Sequence, residues 1–529
     1  MKTLCSIVFG WLVVSFGFTQ SKVRKLPMTI NHPSINVSAP FISTDGSTLV
    51  YISDYAEANQ LTIFYTQRQG ADWKEPVPMP KHINNRLNFQ RGYALSPDGK
   101  TIYITSIKSG GVGGYDIWQG SLKANSWGEL ENMYMPINSK GHEGCPTITP
   151  DGTTLYFMRC ERMDMNKAEN CKILVSKKGA GGRWGEPVEL PAHINTGNSQ
   201  TPRIMADAET LIFSSDKLSP NKGGMDLYMT KRVEDTWSSP VPLDFVNTDK
   251  DDQFVSVMSN SRYLLRDSPG KTKSELVEYL FPDELRPRGV MKLEGTVSDP
   301  NGGPVAAYVS VTDIQTKNRF FSGRPDSKDG SYFVYLKEGT MYELSIDPES
   351  GNYTYFARRF DLTRDANLNV QRIKTSIKPL EAGDELELDA LRFKPYTSKL
   401  DDADSELRRL SRLIKSNPQF TYELQVILNG YREDSIQSDP DLTELSIDSV
   451  IVQVDDIDSL GQLYQRDSIV VRHTWHNNRT RQQAEEIIRQ LTVQGVDPNT
   501  VRYMTNVRPE AVLENRRTLV RLVVSAKRP

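Results

Sequence analysis

A tight turn running into a strand recurs through the first half of this chain. S-T-D-G-S-T-L-V-Y-I-S begins at Ser43, S-P-D-G-K-T-I-Y-I-T-S at Ser96, T-P-D-G-T-T-L-Y-F-M-R at Thr149 and A-D-A-E-T-L-I-F-S-S at Ala206. Each copy continues into a second apolar run: T-I-F-Y from Thr62, Y-D-I-W from Tyr115, K-I-L-V from Lys172 and M-D-L-Y from Met225. A tryptophan follows (Trp73, Trp127, Trp184, Trp237), and then an asparagine (Asn84, Asn138, Asn195, Asn247), with copies 52 to 57 residues apart. Short strands with a turn at every joint cannot bury both faces inside a unit of that size, but small sheets packed radially can. A fifth, worn copy, D-D-Q-F-V-S-V-M from Asp251 and S-E-L-V-E-Y-L-F from Ser274, carries the pattern to Phe281. The sequence therefore predicts a multidomain, mainly β chain that opens with a five-bladed β-propeller over 22–281. Six blades is the alternative if residues 22–42 supply more than a closing strand.

The recurring Asp45, Asp98 and Asp151 invite a catalytic or metal reading. Their presence at the same place in successive copies points instead to turn residues that accept backbone N–H groups. His82 and His193, in K-H-I-N and A-H-I-N, belong to the repeat in the same way. The loops S-G-G-V-G-G-Y-D and N-K-G-G-M-D lack the strand, glycine loop and helix order that cradles phosphate. The units resemble TolB-type propeller repeats, related to the tryptophan-aspartate (WD40-like) family, with S-P-D-G-K-T-I-Y as the clearest match. That resemblance covers about half of the chain.

The first residues, M-K-T-L-C-S-I-V-F-G-W-L-V-V-S-F-G-F-T-Q-S, place Lys2 before an apolar run that ends at Phe18. This reads as a signal peptide over 1–20, because a membrane-spanning helix needs roughly 20 apolar residues. Cys5 precedes the apolar run and so does not fit an acylated lipoprotein cysteine. No later stretch approaches spanning length. A net charge of −3 over 529 residues favours neither nucleic acid nor an anionic membrane. Export permits disulfides. T-L-Y-F-M-R-C and C-K-I-L-V-S read as two strands around a loop, which makes Cys160 and Cys171 the disulfide candidate; buried free thiols are the alternative, and the spacing fits no zinc motif.

Residues 281–289, F-P-D-E-L-R-P-R-G, read as a linker. Beyond it, K-L-E-G-T-V-S-D-P-N-G-G-P-V-A-A-Y-V-S-V-T-D alternates, turns and alternates again, and S-K-D-G-S-Y-F-V-Y-L and M-Y-E-L-S-I-D repeat the alternation. Residues 290–378 are thus expected to form a β-sandwich. The elements G-T-V-S-D and D-G-S-Y-F-V resemble the carboxypeptidase regulatory-like domain, which implies a non-catalytic spacer or docking module.

The last segment, 382–529, changes character. Leu407, Leu410 and Ile414 mark one helical face over 402–416, and Tyr422, Leu424, Val426 and Leu428 then alternate as a strand. A second helical face, with Ala484, Ile487, Ile488 and Leu491, runs over 480–494 to Gly495. Strands over 501–507 and 520–524 complete an α/β order. These residues resemble the OmpA-like peptidoglycan-binding domain. F-K-P-Y-T-S-K-L-D-D-A-D-S-E-L-R-R-L is similar to its first strand and helix, I-L-N-G-Y-R-E-D-S to the strand that enters its ligand loop, T-R-Q-Q-A-E-E-I-I-R-Q-L to its second helix and N-R-R-T-L-V-R-L-V-V to its last strand. The resemblance implies an aspartate and a helical arginine that grip the charged ends of diaminopimelate in the wall peptide. The aspartate position falls on Glu433, with Asp434 adjacent. The arginine position falls on Gln483, with Arg481 and Arg479 nearby. The segment 433–465, with nine acidic residues and no basic one, reads as an acidic insertion forming a solvated loop.

Neither G-x-S-x-G nor H-E-x-x-H occurs, His473 and His476 read as a loop feature, and D-D-I-D lacks the glycine and glutamate of a calcium loop. No enzyme, metal or cofactor is expected. The domain order resembles PorE-like envelope proteins of Bacteroidetes-type bacteria associated with type IX secretion. That implies a periplasmic scaffold, peripheral to the outer membrane, with peptidoglycan and outer-membrane or periplasmic proteins as partners. The alternative is a free glycan- or peptide-binding propeller whose OmpA-like domain has lost its wall ligand. The signal-peptide reading predicts that mass spectrometry of the exported chain finds an N-terminus near residue 21 with no acyl group; an intact Met1 in that fraction overturns it.

Overall fold

The computed structural model describes residues 22–429 and 444–526, apart from 58–59, 71, 85–87, 124–125, 165–166, 271, 364–365, 396, 477–478 and 509–517. The expected signal peptide, Glu433 and Asp434 lie outside the described residues. The chain divides into two compact units, 1–290 and 291–529. Among the described residues no helix is long and apolar enough to cross a membrane.

The first unit is a β-propeller built of small antiparallel sheets that follow one another along the chain. Their innermost strands lie side by side around a ring: Val37–Ile42 against Asn88–Leu95, that strand against His142–Ile148, and His142–Ile148 against Ser199–Ile204. Val37–Ile42 also meets Ser256–Val257 and Tyr263–Pro269 of the last sheet, and Gln253, just before Ser256–Val257, donates to Gln200 at 3.1 Å, so the circle closes. Several of the inner strands are bulged, with Ala39, Cys145 and Thr201 at φ values of 50°, 47° and 49° beside the register shifts. A bulge of this kind bends a strand and sharpens its twist, which suits strands that converge on an axis. There Arg203, 3% exposed, donates to the carbonyls of Tyr93 and Pro202 at 3.1 Å each and lies 4.9 Å from the centre of the Phe41 ring. The Tyr93 hydroxyl in turn donates to the Ala39 carbonyl.

The repeated turns hold their strands as the sequence predicts. Asp45, Asp98 and Asp151 accept from the backbone N–H two residues on, at 3.0, 3.1 and 3.0 Å. His82 and His193 each place Nε2 at a backbone carbonyl of the neighbouring sheet, Gly128 and Trp237, at 2.9 and 3.1 Å.

The repeated asparagines do more. The Asn84 side chain accepts from the N–H of Ile63 and donates to its carbonyl, at 2.8 and 3.1 Å. Asn138 does the same to Ile117, Asn195 to Ile173 and Asn247 to Leu227. Each clamps the third strand of its own sheet at one residue. The last sheet takes its clamp from the other end of the unit: Asn31 accepts from the N–H of Leu276 at 2.8 Å and donates to its carbonyl at 2.9 Å. Val23–Lys25 pairs antiparallel with Ser274–Leu280 to complete that sheet. Residues 22–42 thus supply a closing strand, its clamp and the first inner strand. Pro27 to Asn31 is the same turn as Pro80 to Asn84, with the N–H groups of Ile30 and Asn31 bonded to the Pro27 carbonyl.

The segment 281–289, expected to be a linker, packs instead on the propeller. Phe281 is buried among Met205, Ile212 and Leu264, Leu285 joins that cluster, and the Val290 N–H donates to Ser259. Apolar Phe281 and Leu285 override the turn character of the two prolines.

In the second unit, a three-stranded and a four-stranded sheet face each other over Met291, Leu293, Val309, Val311, Leu344 and Ile346. The remaining sheet runs in the order Glu385–Glu387, Thr518–Ala526, Phe420–Asn429, Val501–Arg508, parallel only between the last two. Helices α1 (Asp404–Ser416) and α2 (Thr480–Val493) cover it through Leu407, Leu410, Ile414, Ala484, Ile487 and Leu491. Asp404 and Glu406 in the first turn of α1 and Lys415 in its last suit the helix dipole. Gly495, at φ 82°, ends α2 in the left-handed conformation that favours glycine.

Two expectations are corrected here. The first strand of this sheet is Glu385–Glu387, upstream of the F-K-P-Y stretch, which forms no strand beyond an isolated bridge between Phe393 and Leu400. The acidic insertion is not a loop in its described part: Glu444–Ile457 and Leu463–His476 form a two-stranded antiparallel ribbon, turning at Gly461. His473 and His476 therefore lie in a strand. Valine and isoleucine at 450–452, 454 and 469–471 supply a β preference that the acidic residues obscured.

Asn31→Ala leaves the N–H and carbonyl of Leu276 without their side-chain partners, so it is expected to lower the stability of the first unit by about 2–4 kcal/mol. Urea unfolding checks this against Asn138→Ala, which breaks an equivalent clamp. A change below about 0.5 kcal/mol for Asn31→Ala alone would show that closure does not depend on it.

Candidate functional site

The helix α2 opens with little of the usual capping. Arg479 occupies the N-cap position without a side-chain cap bond, and no acidic residue stands in the first turn. The dipole of a helix start favours an anion. Arg479 and Gln483 are one turn apart and share a face. They are 3% and 1% exposed. Neither the Oε1 nor the Nε2 of Gln483 has a hydrogen-bond partner, which is costly for a buried amide. The OmpA-like resemblance puts its arginine at Gln483 with Arg481 and Arg479 nearby, and of these two it is Arg479 that shares the buried face. The signal that could have found it is the four-residue spacing.

Arg481 is not brought to Gln483. Two positions along a helix correspond to roughly 200° of rotation, and the Arg481 side chain, 74% exposed, pairs with Glu485 at 2.9 Å. Glu485 also accepts from the Tyr503 hydroxyl at 3.0 Å. These two partners hold the Glu485 carboxyl below its usual range. The strand Phe420–Asn429 packs against α2, and Glu433 and Asp434 lie outside the described residues.

In the first unit, Cys160 and Cys171 face each other in register across a hairpin and are joined as a disulfide. Cys145 is a buried free thiol, and burial pushes its pKa up to about 12. The glycine loops fold around aspartates: Asp116 accepts from the N–H of Val112 at 2.6 Å and Asp226 from that of Lys222 at 2.7 Å. Among the described residues no cluster of histidine, cysteine and carboxylate side chains is placed to hold a metal ion.

No family model matches this chain, and no curated protein matches it. Among solved structures it is similar to TolB from Acinetobacter baumannii, at 14% identity over 46% of this chain and 54% of that chain, with a TM-score of 0.30. It is also similar to an alpha-L-arabinofuranosidase from Lactobacillus brevis, at 13% identity over 49% of this chain and 95% of that one, with a TM-score of 0.32. A third is an oligogalacturonate lyase from Vibrio parahaemolyticus, at 13% identity over 65% and 82% of the two chains, with a TM-score of 0.27. The match spans about half the length of the first of these, 54%.

Because the buried Gln483 amide has no partner among the described residues, Gln483→Leu should stabilise the second unit by about 1–3 kcal/mol. Urea unfolding followed by a probe in that unit measures it. Destabilisation of similar size would mean that the amide is paired in solution.

Proposed function

We propose that this chain is a non-enzymatic scaffold of the periplasm, peripheral to the outer membrane, that joins a docking propeller to the cell wall. The five sheets of the first unit act as five blades of a TolB-like propeller whose surface receives outer-membrane or periplasmic proteins. The sandwich serves as a spacer of the carboxypeptidase regulatory type. The last domain, with its strand, helix, strand, helix, strand, strand order, is OmpA-like and takes the peptide of peptidoglycan. A secretion-related complex of the PorE-like kind is the assembly that this domain order suggests.

The observation that carries the wall-binding part is the unpaired Gln483 amide on one buried face with Arg479, at an uncapped helix start. A zwitterionic diaminopimelate end needs one cation and one anion at fixed separation, because each charge otherwise keeps its water. Arg479, not the outward Arg481, is the cation this face offers, the Gln483 amide adds a hydrogen bond, and Glu433 or Asp434 supplies the anion. The site is then a variant of the family's: the guanidinium has moved one turn toward the start of α2.

The test is co-sedimentation of the full mature chain with purified sacculi. The wild type is expected in the pellet, with Arg479→Gln weakening binding by roughly ten- to hundredfold, the worth of a charge-assisted hydrogen bond. Gln483→Arg, which restores the family residue, should strengthen it, and unfolding midpoints distinguish lost binding from lost fold. If neither the wild type nor Gln483→Arg leaves the supernatant, wall binding is abandoned and the domain is a protein-docking module.

A further inference from the structure

A cleft of about 640 Å³ lies within the second unit, between the outer face of the four-stranded sheet and α1. That volume is in the range of small-ligand sites. Its floor follows from strand alternation. In Ala307–Asp313 the residues Ala307, Val309 and Val311 are buried in the sandwich, so Ser310 and Thr312 face outward. In Met341–Pro348 the buried Tyr342, Leu344 and Ile346 leave Glu343, Ser345 and Asp347 on the same outer face. The register then sets Ser322, Ser310 and Ser345 in one row across three strands, and Arg319, Thr312 and Glu343 in the next. Three small hydroxyl side chains abreast are what leave the floor open.

The wall is one face of α1. Ser405, Arg408, Arg409 and Arg412 fall at helical spacing toward the cleft, while Leu407, Leu410 and Leu413 are buried behind them. Four arginines thus line the cleft against two carboxylates, Glu343 and Asp347. Arg409 is consumed by structure: it pairs with Glu343 and, at 3.1 Å, with Glu406, whose other oxygen accepts from the Tyr355 hydroxyl at 2.8 Å. Arg412 stands 3.7 Å from Asp347. Arg408 reaches only Ser405, at 3.1 Å, and Arg319 has no ion pair among the described residues. An arginine on an exposed helix face is ordinarily just solvated. Here two guanidinium groups without carboxylate partners flank a row of hydroxyls in a concave site.

We propose that this cleft binds an anionic saccharide, with Arg319 and Arg408 on its acidic group and Ser310 and Ser322 on its sugar hydroxyls, while Ser345 donates to Asp347 at 2.9 Å. Guanidinium matches a planar carboxylate or a phosphate through paired N–H donors. Serine hydroxyls both donate and accept, as sugar hydroxyls do. Tyr308 stands at the rim, where its hydroxyl accepts from Arg324 at 2.9 Å and that guanidinium lies 5.0 Å from its ring centre. Arg479 and Gln483 take no part in this cleft, so its fate is independent of the wall-binding site.

The experiment is calorimetric titration of the full mature chain with trigalacturonic acid, a carboxylate sugar, and glucose 6-phosphate, a phosphate sugar. Maltotriose and inorganic phosphate are the controls. At least one acidic sugar should bind at least tenfold tighter than both controls, and which one does so identifies the acidic group. The Arg319→Gln, Arg408→Gln double variant should lower that affinity at least tenfold. Ser310→Leu, which fills the floor and keeps every charge, should do the same, with melting temperatures showing that both variants fold. The proposal is overturned if neither acidic sugar binds, if inorganic phosphate binds as tightly, or if the variants leave the affinity unchanged.

Discussion

The first unit depends on a single repeated contact: an asparagine amide that bonds to both the N–H and the carbonyl of one residue in the third strand of its sheet. Sheets of four or five short strands carry little cooperative strength of their own. A side chain that satisfies two backbone groups at once turns the end of each repeat back onto its own sheet and points the chain toward the next. The last of these clamps is supplied by Asn31, some 245 residues before Leu276. The closing strand Val23–Lys25 and its asparagine together make the two ends of the unit one sheet. The bulged inner strands and the buried Arg203 then follow from geometry: strands that converge on an axis leave room for one large side chain, and its charge is met by carbonyls and a ring.

In the second unit a buried charge network plays the corresponding part. Arg409 reaches from α1 to Glu343 on the sandwich and to Glu406 on its own helix, and Arg359 donates to the carbonyls of Asp401 and Asp402 just before α1, at 3.0 and 2.6 Å. Burial raises the Glu406 carboxyl above its ordinary range, although Arg409 and Tyr355 oppose that shift. Such a network contributes more to holding one orientation than to net stability, because desolvating the charges offsets most of their attraction. Its consequence for function is the cleft beside it, whose arginine wall keeps its place because Arg409 is anchored.

The start of α2 carries a different kind of information. A buried amide with no partner is rare in a settled core, and among the described residues the Gln483 side chain is one. A domain retained for its shape alone would gain by filling that place with an apolar side chain. Gln483 and Arg479 together form one buried polar face at the start of α2.

The repeat, its turns and the two amphipathic helices were legible in the amino-acid sequence, because each depends on residues close together in the chain: S-P-D-G for a turn, leucines at helical spacing for a buried face. The hairpin that joins Cys160 to Cys171 was legible for the same reason. The acidic ribbon was misread because charge count spoke louder than the β-branched residues between the charges. Residues 281–289 were misread because prolines signal turns whether or not the turn is packed. What only the tertiary structure decided is which distant residues meet. Nothing local marks Asn31 as the clamp of the last sheet, aligns Ser310 with Ser322 and Ser345, or faces Arg408 toward them. Those contacts depend on strand register and on the docking of α1, and both are set by long-range packing.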